Sequence, residues 1–168
     1  MHQNVLPLFD SRFDGMRYRD LNRLEQDQVI ALARDILWSR ATKGECLTSP
    51  AAMREYLQLR IGELEHEVFG ILYLDNKHRV LDIGELFRGT IDGASVHPRE
   101  VVKETLRRNA AAVVFYHNHP SGMAEPSRAD QKITRRLVET LSLIDVRVLD
   151  HFVVTSQECM SFAEMGLL

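Results

Sequence analysis

The chain has 168 residues, with 21 Lys and Arg against 24 Asp and Glu, and a formal charge of −3. At 45% hydrophobic and 27% charged residues it has the composition of a single globular core, which excludes collagen, coiled-coil and disordered classes. Two cysteines, Cys46 and Cys159, exclude a secreted disulfide framework and fit a reduced, cytoplasmic setting.

No stretch approaches the roughly 18 apolar residues of a membrane span. The opening MHQNVLPLFDSRFDG lacks the basic head, apolar run and small-residue cleavage site of a signal peptide. The first twenty residues read as an irregular arm carrying Leu6, Leu8, Phe9 and Phe13. A helix is expected over Leu21 to Arg40, capped by Asp20, with Leu24, Val29, Ala33, Ile36 and Leu37 as its apolar stripe. Lys43-Gly44 ends it, and Thr48-Ser49-Pro50 caps a second helix to about Arg60.

The period then changes. Val68 to Leu74 is a nearly continuous apolar run, as expected of a buried strand. Asp75-Asn76-Lys77 makes a turn, and Arg79 to Leu86 returns as a second strand. Gly89 and Gly93 mark a loop before a helix that Pro98 opens, Arg99 to Asn109. Ala110 to Tyr116 is a short strand, a helix of about 15 residues starts after Pro126-Ser127, and Val146 to Thr155 is the last strand. Strands alternating with helices mean a layered α/β domain.

The chemistry gathers after the third strand. His117 and His119 stand two apart at its end, so both imidazoles can leave one face and converge. Asp130, in the first turn of the next helix, can bring a carboxylate beside them. Two histidines and a carboxylate with an open fourth position form a catalytic zinc pattern. Ser127 and Asp130 also make a Ser-x-x-Asp variant of the capping box, and capping does not exclude ligation. Such a centre needs a carboxylate that moves protons without binding the metal. Glu67, at the head of the first strand, can fill that role or be one more charge in the run Glu63, Glu65, Glu67.

These motifs resemble the JAB/MPN/JAMM metalloenzyme family. Its signature is a Glu at the start of a strand, then His-x-His-Pro, six residues, Ser, two residues and Asp. Here His117-Asn118-His119-Pro120, Ser127 and Asp130 keep that spacing, and Glu67 to Leu72 is similar to the Glu strand, with Gly70 three residues on. The RadC branch is the nearer likeness, through His-Asn-His-Pro-Ser-Gly, Arg88-Gly89-Thr90, Pro98-Arg99-Glu100-Val101 and Leu149 to Val154. The resemblance implies a three-layer, cytidine-deaminase-like α/β sandwich with a mixed sheet over residues 48–168, and a helical extension over 1–47. It implies a zinc metallopeptidase acting on peptide or isopeptide bonds, with one zinc ion on His117, His119 and Asp130. Glu67 becomes the general acid/base and Ser127 the oxyanion donor.

Asp150 and His151 are candidates for orienting a metal-bound histidine, with a satisfied core histidine as the plainer reading of His151. His97 reads as loop packing, His2, His66 and His78 as surface residues, and Met123 as a flexible apolar contact. An HNH nuclease is disfavoured, because the residues of that motif are spread over a ββα unit. Two readings stand beside the peptidase: another zinc hydrolase, including a repair nuclease, and a non-catalytic scaffold.

Residues 98–136 hold eight basic and four acidic groups, enough for a phosphate-binding face if the two helices adjoin. Longer RadC proteins carry a helix-hairpin-helix region, and no Gly-rich hairpin of that kind precedes Pro50. Nucleic-acid binding is therefore expected to be weak, non-specific and salt-sensitive.

Overall fold

The structure, a computed structural model, describes residues 21–42, 50–89 and 96–168. The expected N-terminal arm, the Asp20 cap, Lys43-Gly44, Cys46, Thr48-Ser49, Thr90 and Gly93 lie outside the described residues. Helices α1 (Arg23–Thr42) and α2 (Pro50–Ile61) precede strands β1 (Val68–Leu74) and β2 (Val80–Arg88). Helix α3 (Pro98–Arg107), strand β3 (Ala112–Asn118), helix α4 (Arg128–Ser142) and strands β4 (Arg147–Val154) and β5 (Cys159–Ser161) follow.

The sheet order is β2-β1-β3-β4-β5. The β3 and β4 strands run parallel and the other neighbours antiparallel, so the sheet is mixed as expected. A parallel pair needs a long crossover, which α4 supplies. One face of the sheet packs Leu72, Leu74, Val114, Tyr116, Phe152 and Val154 against Tyr56, Leu57 and Ile61 of α2. The other packs Phe69, Ile71, Tyr73, Val113 and Phe115 against Val101 of α3 and Leu137 and Leu141 of α4. With both faces covered, every residue of β1 and β3 is buried, which is why these strands read as continuous apolar runs.

Several details depart from the sequence reading. Helix α1 is capped by Asn22: its side chain accepts from the Glu25 N–H at 3.1 Å, and Glu25 accepts from the Asn22 N–H at 2.8 Å. The expected α1 stripe is mostly solvated, with Leu24, Val29 and Ile36 exposed. The helix lies on α2, a narrow partner, and docks through Leu37 and Trp38, whose ring centroid is 5.2 Å from that of Tyr56. Strand β3 begins and ends two residues later than expected, which makes His117 and Asn118 strand residues. Strand β5 was not foreseen. It pairs only three residues with β4, too few for a period to show.

Gly70 has a steric role. A Cβ there would lie 2.1 Å from Cζ of Tyr116, whose ring crosses β1 to reach the Gly84 carbonyl on β2 at 3.3 Å. Gly70→Ala must displace that buried ring. We expect a loss of about 3 kcal/mol, or roughly 6–12 °C in melting temperature. Thermal denaturation checks this, and an unchanged midpoint would show that the ring relaxes freely.

Candidate metal centre

Strand β3 ends where α4 begins its return, and the two ends meet at one point. His117 comes from the last turn of ladder on β3. His119 follows it, still tied to the sheet by its N–H to the Val154 carbonyl at 2.9 Å. Asp130 is the third residue of α4, held by a complete capping box: its carboxylate accepts from the Ser127 N–H at 2.7 Å, and Ser127 Oγ accepts from the Asp130 N–H at 3.1 Å. The capping and ligand readings of Asp130 are thus compatible, because one carboxylate oxygen serves the cap and the group still faces both histidines.

The Nε2 atoms of His117 and His119 are 3.0 Å apart. Asp130 Oδ1 lies 3.5 Å from the first and Oδ2 lies 3.4 Å from the second. All three groups offer ligand atoms within 4.8 Å of one another, and among the described residues no other cluster does so. Two ring nitrogens at 3.0 Å repel unless a proton or a cation lies between them. His119 spends its Nδ1–H on the Met123 carbonyl at 2.7 Å, which leaves the Nε2 lone pair facing Asp130. A set of two imidazole nitrogens and one carboxylate oxygen, open on one side, fits a catalytic zinc ion. The group could hold a metal on this chemistry.

The electrostatics agree with a cation-binding position. Burial alone would raise the Asp130 carboxyl, but when the His117 and His119 imidazoles carry protons on Nε2 in place of a metal, their hydrogen bonds to it outweigh burial and hold the group far below its usual range. The Asp130 hydrogen bond in turn raises His119 above the ordinary histidine value. A proton and a metal compete for the same lone pair.

His119 opens onto a cleft of about 670 Å³, lined also by Glu65, His66, Glu67, Pro120, Ser121, Met123, Glu125 and Ser127, while His117 is buried behind it. Glu67 and Ser127, the two residues expected to do the proton and oxyanion work, are therefore brought to the same cleft as His119. Ser127 uses its oxygen as the cap acceptor and keeps its hydroxyl hydrogen to donate. His66 is part of this wall, with Nδ1 3.2 Å from an Arg88 guanidinium nitrogen, and is not a plain surface residue. His78 is half-buried in the β1–β2 turn, so it too departs from expectation. His97 packs its ring edge-on to Phe87 at 5.9 Å, as loop packing requires.

The expected partners Asp150 and His151 separate. Adjacent strand residues leave opposite faces. His151 is fully buried among Phe69, Phe115 and Phe162, with Nε2 2.8 Å from His117 Nδ1 and Nδ1 2.7 Å from the Thr134 hydroxyl. Burial first, and then charge on His117, keep its pKa well below the ordinary value. Asp150 faces elsewhere. Its carboxylate accepts from the Ser161 hydroxyl at 2.6 Å and the Ala163 N–H at 3.0 Å, so it ties down the C-terminal turn and has no place beside the metal group. Burial pushes the Cys159 thiol up to about 12, which disfavours the reactive thiolate.

Three groups escaped the sequence reading. Met123 contributes its carbonyl to His119, more than an apolar contact. Thr134 touches His151 one helical turn beyond Asp130, a spacing of four that places both on one helix face. Asn118, between the two histidines, turns to the other side. Its Oδ1 accepts from the Val68 N–H at 2.7 Å, and its Nδ2 donates to the carbonyls of His66 at 3.0 Å and Leu64 at 3.3 Å. Asn118 thus clamps the segment carrying Glu67 to the strand carrying His117. Asn118→Ala leaves the Val68 N–H and two carbonyls with no side-chain partner. We expect it to keep the metal and to lower any Glu67-dependent turnover by about 10²-fold through misplacement. Turnover and metal content measured on one sample check this, and loss of metal without loss of the fold would contradict it.

Comparison with known proteins identifies the family. Residues 47–167 match the RadC-like JAB domain family. The chain is 52% identical over 151 residues to a UPF0758 protein of Vibrio cholerae, covering 90% of this chain and 96% of that protein. It is 52% identical over 161 residues to a UPF0758 protein of Marinobacter nauticus, covering 94% and 72%. A Nitrosococcus oceani UPF0758 protein is 57% identical over 139 residues, or 83% of this chain and 62% of that longer relative. With the family matched over most of its length and its two histidines and aspartate folded into one cluster, this chain belongs to the RadC-like JAB domain family.

Proposed function

We propose that the chain is a zinc-dependent metallopeptidase that hydrolyses peptide or isopeptide bonds. The observation that carries this reading is that His119, one of the clustered His117–His119–Asp130 group, lines a cleft that Glu67 and Ser127 also line. Zinc, when bound, supplies a Lewis acid for the scissile carbonyl and lowers the pKa of water toward about 7. His117, His119 and Asp130 would hold it. Glu67 takes the proton of the attacking water and returns it to the leaving amine. The Ser127 hydroxyl donates to the oxygen on which negative charge develops.

The cleft's charge favours a peptide over a nucleic acid. Glu65, Glu67 and Glu125 line it, and a phosphodiester backbone meets repulsion there. Three of the basic residues on and just after α3 are neutralised at home. Lys103 pairs with Glu100 at 3.3 Å, Arg107 with Glu104 at 3.0 Å and Arg108 with Asp82 at 2.6 Å. Arg128, Lys132, Arg135 and Arg136 remain exposed on α4 and support no more than weak, salt-sensitive contact with phosphates. Among the described residues no helix is long and apolar enough to cross a membrane.

The test is incubation of zinc-loaded protein with a library of peptides and isopeptides, read by mass spectrometry, with Glu67→Ala as the control. Cleavage at discrete bonds by the parent chain alone is expected. Equal cleavage by the control, or none from a fully loaded parent chain, would sink the reading.

A further inference from the structure

Behind His117 lies a buried chain of hydrogen bonds whose direction is fixed at its far end. The Thr134 hydroxyl oxygen is 2.6 Å from the Asp130 carbonyl and 2.7 Å from His151 Nδ1. A carbonyl only accepts, so the single hydroxyl hydrogen goes to Asp130. The hydroxyl oxygen must then accept, and His151 must carry its hydrogen on Nδ1. That leaves His151 Nε2 as an acceptor, 2.8 Å from His117 Nδ1, which therefore carries the hydrogen of the His117 ring. The Nε2 lone pair of His117 is left facing Asp130 and His119. Thr134 and His151 are both fully buried, so water does not compete for these bonds.

We propose that Thr134 is a positioning residue: its hydroxyl sets the polarity of the Thr134–His151–His117 chain and so presents His117 in the one tautomer that can bind a metal through Nε2. This deepens the reading of His117 as a ligand and rests on it. The same hydroxyl grips the carbonyl of Asp130, so one side chain couples the turn that carries the carboxylate to the ring that carries the nitrogen. Valine at this position keeps the shape and loses both bonds. His151 Nδ1–H would then have no acceptor in a dry site. Moving that hydrogen to Nε2 relieves the cost, but it makes His151 a donor to His117 Nδ1. The hydrogen of His117 is then driven to Nε2, where it blocks the metal.

The experiment has two parts. Zinc affinity is measured by chelator competition for the parent chain, Thr134→Val and Thr134→Ser, with melting curves to verify folding. Thr134→Val is expected to weaken zinc binding by about 10–100-fold, and Thr134→Ser, which keeps the hydroxyl, to stay close to the parent. Histidine-ring ¹⁵N correlation spectra of the unsubstituted protein should place hydrogen on Nδ1 of both His117 and His151 and none on Nε2 of His151. That second part needs no variant to fold. Parent-like affinity in Thr134→Val, equal loss in Thr134→Ser, or an Nε2–H on His151 in the parent spectrum would each overturn the proposal. A parent chain that binds no zinc would instead refute the ligand reading, while the spectra would still decide the direction of the chain.

Discussion

Glu67→Gln is expected to keep the parent's zinc content and to lower peptide hydrolysis by about 10²–10⁴-fold, the usual contribution of a general acid/base. The amide has the size and shape of the carboxylate and no useful affinity for a proton. Glu67 stands just before β1, on the segment that Asn118 clamps, and the capping box that holds Asp130 does not involve it. The substitution therefore touches proton transfer and leaves the ligand group intact. Turnover and elemental analysis on one preparation separate the two effects. Zinc lost along with activity would make Glu67 a ligand, and activity retained would place the base elsewhere in the cleft.

The double substitution His117→Ala/His119→Ala is expected to reduce bound zinc from one ion per chain to background. One carboxylate remains, and a lone carboxylate does not hold zinc against water. The change also has a structural cost. His151 Nε2 loses its buried partner, worth about 1–3 kcal/mol. Melting of the double variant should be compared with metal-free parent protein, so that metal linkage and the broken bond are counted separately. Acid should also strip zinc from the parent, because histidine ligands must be deprotonated to bind and Asp130 strengthens the hold of His119 on its proton. Stoichiometric zinc in the double variant would place the site elsewhere.

The parts of the site that could be read from sequence are those whose geometry is local. His117 and His119 lie on one strand end, and Ser127 and Asp130 on one helix start, so spacing and capping rules place each pair. The continuous apolar run of β1 announced a strand buried on both faces for the same reason. What was hidden depends on register between distant segments. His151 meets His117 because β4 lies parallel beside β3, with His151 opposite Phe115 and Val153 opposite His117. Nothing in Leu149 to Val154 announces that alignment, and nothing there separates His151 from Asp150. The Asn118 clamp joins residues about fifty positions apart and required the β1–β3 register. The α1 stripe misled for a different reason. Its apolar spacing is real, but α2 offers too narrow a surface to cover it.

The central claim is a metal centre built from His117, His119 and Asp130. Crystals of the zinc-loaded chain, measured on both sides of the zinc absorption edge, test it most directly. The account predicts one anomalous peak per chain, about 2.0–2.2 Å from His117 Nε2, His119 Nε2 and an Asp130 carboxylate oxygen. A peak on other residues, or none at this group in protein that carries stoichiometric zinc, would contradict it.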